Sequence, residues 1–167
     1  MSEHDPYKRK LVNPGFYVQK CKVEAKVVAV LRGSLENRNL ELIPQPSRAV
    51  KHGEIHEIIV TDEDASPGSR VGRIAYVAFL EFLNGGVLLS GDELLIGGKS
   101  IGKLAGFDMS HFSNHMNIVV RGELKSGEDR HLFVGALASF QMASPEDEED
   151  ETGTGNSSGS ASGNSSG

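Results

Sequence analysis

Short apolar runs rich in Val, Ile, Tyr and Phe recur from Val18 to Phe140, and Gly, Pro or Asn-Gly cuts each one off. β-branched and aromatic side chains suit a pleated, half-buried surface, and runs of this length bounded by turn residues read as strands. Val18 to Leu31 alternates in part, with Val23, Ala25, Val27 and Ala29 on one parity, as a strand facing a core would. Leu40 to Ile43 is a short second strand stopped by Pro44, and Ile55 to Thr61 is a third. Arg73 to Leu83 reads as a strand that turns at Asn84-Gly85 into Val87-Leu88-Leu89, because Asn-Gly between apolar runs is a strong hairpin signal. Leu94 to Ile96 and Ile101 to Phe107 flank Gly97-Gly98 as a second hairpin. Met116, Ile118 and Val120 alternate with Asn117, Val119 and Arg121, as in a half-buried strand, and His131 to Phe140 is the last. Between them Asp108 and Asn114 suit the two ends of one short helical turn. The expected fold is mainly β: a small closed barrel of about six strands, built from hairpins with one short helical turn.

A break in composition sets the limits of that domain. From Thr152 only Thr, Gly, Asn, Ser and Ala occur, so nothing there can offset its ordering entropy by burial. Glu146 to Glu151 is an unbroken acidic run that repels itself and extends the chain. The expected organisation is an N-terminal arm at 1–16, a β-barrel domain at 17–143 and a disordered acidic and Ser/Gly-rich tail at 144–167. The tail also explains the charge. Seventeen Lys and Arg against 23 Asp and Glu give −6, and removing the six acids of 146–151 leaves 17 against 17.

A neutral domain with few aromatics offers neither a basic footprint nor a stacking platform, which argues against nucleic acid as a partner. No apolar run reaches the ~18–20 residues of a membrane span. The charged first ten residues lack the apolar segment of a signal peptide, and the single Cys21 excludes an internal disulfide framework. A soluble, cytoplasmic protein is expected, with Cys21 buried and inert in its Val-rich strand.

Four of the six histidines come in pairs four residues apart, His52 with His56 and His111 with His115. Glu54 and Glu57 accompany the first pair, and Asp108 and Asn114 the second. On a strand such residues share a face about 13 Å apart, whereas on a helical turn they come within about 5–6 Å. Neutral imidazoles with a carboxylate can hold a divalent metal, and His56, Asp108, His111 and His115 are the candidate ligands. The same chemistry serves general acid/base catalysis, for which His56, Glu57, His111 and His115 are the candidates. Gly85-Gly86 and Gly97-Gly98 fit no phosphate-binding spacing and read as hairpin turns.

Gly91-Asp92-Glu93-Leu94-Leu95-Ile96-Gly97-Gly98, the strand Ile101 to Asp108 and Asn114 to Val120 together resemble the C-terminal half of the glucitol/sorbitol-specific enzyme IIA components of the sugar phosphotransferase system. That resemblance implies a six-stranded closed barrel with swapped hairpins, and a phosphate carried on a histidine. His52-Gly53-Glu54 matches the family's His-Gly-Glu trio, which makes His52 the implied phosphoacceptor. Glu54-Ile55-His56-Glu57, Gly106-Phe107-Asp108 and Asn114-His115 are similar to an uncharacterised prokaryotic domain family, a domain of unknown function.

Three functions fit these residues. The first is a binding or accessory barrel with a His/carboxylate-lined site for a small polar ligand or metal. The second is an enzyme with a histidine as general acid/base, and the third a phosphocarrier. Spatial convergence of His56, Glu57, Asp108, His111 and His115 would favour the first two.

Overall fold

The computed structural model describes residues 14–143. The expected tail from 144, and the expected arm up to residue 13, lie outside the described residues. Twelve strands follow a single 3-10 turn at Pro14–Phe16: β1 (Val23–Val30), β2 (Ser34–Leu35), β3 (Leu40–Glu41), β4 (Ser47–Val50), β5 (Ile55–Thr61), β6 (Arg70–Val71), β7 (Ile74–Phe82), β8 (Gly86–Leu89), β9 (Glu93–Ile96), β10 (Lys99–Asp108), β11 (Asn117–Arg121) and β12 (Leu137–Gln141). Among the described residues no helix is long and apolar enough to cross a membrane.

Seven strands join edge to edge in the order β1, β12, β9, β10, β11, β5, β7, and β7 pairs back onto β1. The sheet is thus a ring, mainly β as the strand pattern predicts. Every ring pairing is antiparallel except β5 with β11, which run parallel with Glu57 opposite Asn117 and Thr61 opposite Arg121. Register shifts interrupt β1·β7, β5·β7, β9·β10 and β10·β11, and such bulges add the local bend that curls a sheet. At the β9·β10 bulge, Gly102 (φ +148°) and Gly122 bring two backbones together so closely that a Cβ on either would strike the other strand's carbonyl.

Alternation sorts the side chains into two cores. Val23, Ala25 and Val27 of β1, Ile58 and Val60 of β5, Phe107 of β10, and Met116, Ile118 and Val120 of the β11 segment belong to the main core. Residues of the opposite parity, Ile59, Ala105 and Val119, belong to a second cluster with Leu40, Leu42, Val71 and Ile74, on the face covered by the β3·β6 ribbon. This second layer corrects the reading of β11 as half-buried: Asn117 to Val120 are all buried.

Three more expectations are corrected. Asn84-Gly85 does turn the chain after β7, but β8 pairs with β4, not with β7. The Asn84 side chain accepts from Glu24 N–H and donates to the Lys22 carbonyl, which carries the chain past β1 instead of folding it back. The helical turn between Asp108 and Asn114 is an irregular loop. Its bonds, Phe112 N–H to the Met109 carbonyl and both Asn114 and His115 N–H to that of His111, do not propagate as a helix. Cys21 is exposed, since β1 begins only at Val23.

Candidate functional site

The parallel pair β5·β11 organises the polar end of the molecule. Its two strands start side by side, so His56 and Glu57 of β5 meet His115, Met116 and Asn117 at the entrance to β11. Adjacent residues of a strand point to opposite faces. His56 therefore shares the main-core parity of Ile58, and its ring lies 5.8 Å from that of Phe82. Glu57 shares the parity of Ile59 and faces the other way, toward His115.

On the core side, His56 has both ring nitrogens committed. The Met116 N–H donates to Nδ1 at 3.1 Å, and Nε2–H donates to Glu54 Oε2 at 3.3 Å. Burial holds the imidazole below its ordinary pKa, outweighing the opposing influence of Glu54. The ring is neutral, in one tautomer, and acts as a clasp between β5 and the loop that leads into β11.

On the outer side, His115 Nε2 lies 3.2 Å from Glu57 Oε2, and its Nδ1 lies 2.9 Å from the Asn114 side-chain amide. Phe79 meets the ring edge-on at 5.1 Å, and His111 stacks on it at 5.2 Å. Arg38 Nη2 is 3.2 Å from His111 Nε2, while its Nε donates to the Tyr76 hydroxyl. Arg48 of β4 lies over the ring of Phe112, 5.7 Å from its centroid. Loop 109–116 thus carries two histidines and an exposed phenylalanine, and an arginine attends it at each of two neighbouring positions.

Asp108 is spent on holding this loop. Its Oδ1 accepts from the Ser110 N–H and hydroxyl and from the Asn117 amide, and Oδ2 accepts from Glu41 N–H. Burial alone would raise its pKa, but the four donors outweigh it and hold the carboxyl below the ordinary value. Asn117, fully buried between Asp108 and Glu57 in the cross-strand register, leaves its Oδ1 without a protein donor.

His111, His115 and Glu57 therefore come together, with His56 on the opposite sheet face and Asp108 engaged by backbone and amide donors. Among the described residues no group of three or more His, Cys, Asp or Glu side chains is placed to hold a metal ion. Of the set His56, Asp108, His111 and His115, strand parity sets His56 apart from His115, and the oxygens of Asp108 face the loop's own donors. His52 sits in the exposed turn before β5, apart from this cluster. Arg38, Arg48, Phe112 and Asn117 went unread in the sequence. Arg48 lies on a strand that carries no hydrophobic alternation, and Arg38 lies in a polar loop.

A cleft of about 640 Å³ opens at the other ends of β5 and β11 and is lined by Thr61, Asp62, Glu63, Lys103 and Arg121 among others. Its carboxylates are mostly engaged already. Asp62 holds Arg73, Asp64 holds Arg121, and Glu63 accepts from the N–H groups of Gly72 and Arg73. Size alone does not make it the reactive site, and none of the histidines lines it.

No curated protein and no solved structure matches the chain, so the likeness to the sugar phosphotransferase component is not shown. The model of a family of unknown function, DUF6917, matches residues 17–141, which takes in every strand of the ring, and the chain belongs to that family.

Proposed function

We propose that the protein is a small soluble barrel of the cytoplasm that binds a small polar ligand at the rim formed by loop 109–116 and the start of β5. The observation that carries this reading is the stacked pair His111 and His115, tied to Glu57 on one side and Arg38 on the other. Hydrogen-bonding groups of both kinds, fixed in orientation by their neighbours beside exposed aromatic surface, suit a small polar molecule. A closed ring gives that rim a rigid base, and the lone Cys21 suits a reducing compartment. The His115–Glu57 pair supports a second reading, an enzyme in which Glu57 orients His115 as general acid/base. A ligand would then displace the Asn114 amide from Nδ1.

The test is a heteronuclear NMR titration of the full chain with a panel of sugars, amino acids, nucleosides, carboxylates and phosphate esters. A saturable shift centred on His111 and His115, lost in His111→Ala and in His115→Ala, is the expected result. Saturable shifts that map only to the Thr61–Arg121 cleft, or none at all, overturn it.

A further inference from the structure

We propose that this rim takes the oxyanion group of its ligand, a carboxylate or a phosphate, against the guanidinium groups of Arg38 and Arg48. The inference rests on the binding reading above and adds the charge of what is bound.

Three other arginines have carboxylate partners, Arg32 with Glu128 at 3.9 Å, Arg73 with Asp62 at 2.7 Å and Arg121 with Asp64 at 3.1 Å, and Arg130 donates to the Lys125 and Glu123 carbonyls. Arg38 and Arg48 differ. Among the described residues, the partners of Arg38 are a tyrosine hydroxyl and an imidazole, and that of Arg48 is a phenyl ring. The two glutamates at the start of β5 are already engaged. Glu57 holds His115, and Glu54 holds both His56 and the Lys51 N–H. Among the described residues, neither guanidinium has an ion pair with a carboxylate, and the two attend successive positions of one loop, Arg38 at His111 and Arg48 at Phe112.

Geometry gives the same answer as charge. The phenyl ring 5.7 Å from the Arg48 guanidinium carbon attracts its charge but accepts none of its N–H groups in the plane of the fork. Among the described residues the buried Nε of Arg48 has no hydrogen-bond acceptor, a state it shares with Arg121 Nε, whose guanidinium however has Asp64 at Nη1. An unmet donor on a cation is a strong demand for an acceptor, and a planar or tetrahedral oxyanion meets the fork with two bonds at once. Arg38 spends Nε and one N–H of Nη2, which leaves its outer edge for the same group. The His111 ring accepts from Arg38 at Nε2, so its proton sits on Nδ1 as a further donor.

The test uses the full chain labelled with 15N, at pH 7.5. Inorganic phosphate and malonate are titrated separately against sodium chloride of matched ionic strength, and the Nε–H resonances of Arg38 and Arg48 are followed. The expected result is a saturable shift of Arg48 Nε–H with at least one of the two. It should be weakened about tenfold in Arg48→Gln and in Arg38→Gln, the scale of one lost charge-assisted bidentate contact. Arg48→Lys keeps the charge without the fork, so it should bind more weakly than wild type, and the amide spectrum of each variant reports whether it is folded. A response to phosphate alone assigns a phosphate ester, and a response to malonate alone a carboxylate. No saturable shift beyond that of sodium chloride, or shifts of equal affinity in the two Gln variants, overturns the proposal. If neutral compounds of the panel still shift His111 and His115 while both anions fail, the oxyanion inference falls and the binding reading stands. If the panel and both anions fail, both fall.

Discussion

The main-chain N–H of Met116 donates to Nδ1 of His56 across the parallel junction of β5 and β11. The bond requires an unprotonated Nδ1, so the loop bearing His111, Phe112 and His115 is moored to a titratable ring. Glu54 and Phe82 contact that ring, while Arg48 from β4 and His115 from the loop act on it only through space.

Stability should therefore fall as the medium is acidified below the ordinary histidine range. Burial lowers the folded-state pKa of His56 below the unfolded value of about 6.5. The unfolded chain then binds the proton first. The contribution is complete above pH 6.5 and is lost as pH falls toward the folded-state value. Urea denaturation between pH 8 and pH 5 checks this against His56→Asn, whose side-chain oxygen can still accept from Met116 N–H but does not titrate. A wild type and variant with parallel pH profiles would remove His56 as the cause. His56→Leu leaves the Met116 donor buried and unmet, at a cost of about 1–3 kcal/mol at pH 8 that narrows as the wild type loses the same bond in acid.

Asp108 acts in the opposite window. Its folded-state pKa is held below the ordinary carboxylate value by Ser110, Glu41 and Asn117. Its stabilisation is present above the unfolded value of about 3.9 and disappears as pH falls through the folded one. Asp108→Asn replaces an acceptor oxygen with a donor facing donors, and should cost about 2 kcal/mol at pH 7, in line with hydrogen bonds to a charged group. Chemical denaturation at pH 7 and pH 3 measures the difference, which should shrink at the lower pH. Because the loop loses its anchor, amide exchange at 110–115 should quicken in the variant. Unchanged protection there would show that the loop is held by other bonds.

The Gly102–Gly122 contact gives a sharper steric test. An alanine at Gly102 would press its Cβ into the Arg121 carbonyl, and one at Gly122 into that of Ile101. Neither obstacle is a side chain that can swing away. Each substitution should cost more than about 3 kcal/mol, above the ordinary range for a single change. Gly97→Ala is the control. Its φ of +60° is left-handed but nothing lies within 4 Å of the added carbon, so about 1–2 kcal/mol is expected. Thermal denaturation of the three variants should separate Gly97→Ala from the other two, and similar losses in all three would discount the backbone collision.

The strands were legible in the sequence wherever a short apolar run was bounded by turn residues. Ile55 to Thr61 has the same limits in both, and Gly97-Gly98 turns β9 into β10 as expected. What stayed hidden was partnership. Nothing in Val87-Leu88-Leu89 says that Ser47–Val50 lies beside it, because a two-stranded ribbon is specified by chain path and not by local pattern. The second core was hidden for a related reason: alternation in β11 gives the parity of Val119 but not whether a ribbon will cover it. The histidines were found by residue type alone. Their separation onto two sheet faces follows from the strand parity of His56 and Glu57, which was readable, combined with the parallel β5·β11 pairing, which was not.

Lys20 and Asp92 form a buried ion pair at 2.6 Å, with side chains 6% and 1% exposed, which joins the segment before β1 to the turn before β9. Burial raises the Asp92 pKa despite Lys20 and the Leu89 N–H, both of which favour the charged form. Replacing Lys20 with Met removes the larger share of that support and strands a carboxylate in the interior. The cost at pH 7 should be about 3–5 kcal/mol, the range for a buried pair with one partner deleted. The carboxyl will escape part of this by keeping its proton, so its folded-state pKa rises further above the unfolded value. A group shifted in that direction gives most stability below the unfolded pKa and loses it as pH rises through the folded one. The deficit of Lys20→Met relative to wild type should therefore be smallest near pH 4 and grow toward pH 7. Lys20→Met combined with Asp92→Asn removes the charge along with its partner and should recover part of the loss at pH 7. A single variant whose deficit is flat across that range, or a double variant no more stable than the single, would show that the pair contributes through packing and not through charge.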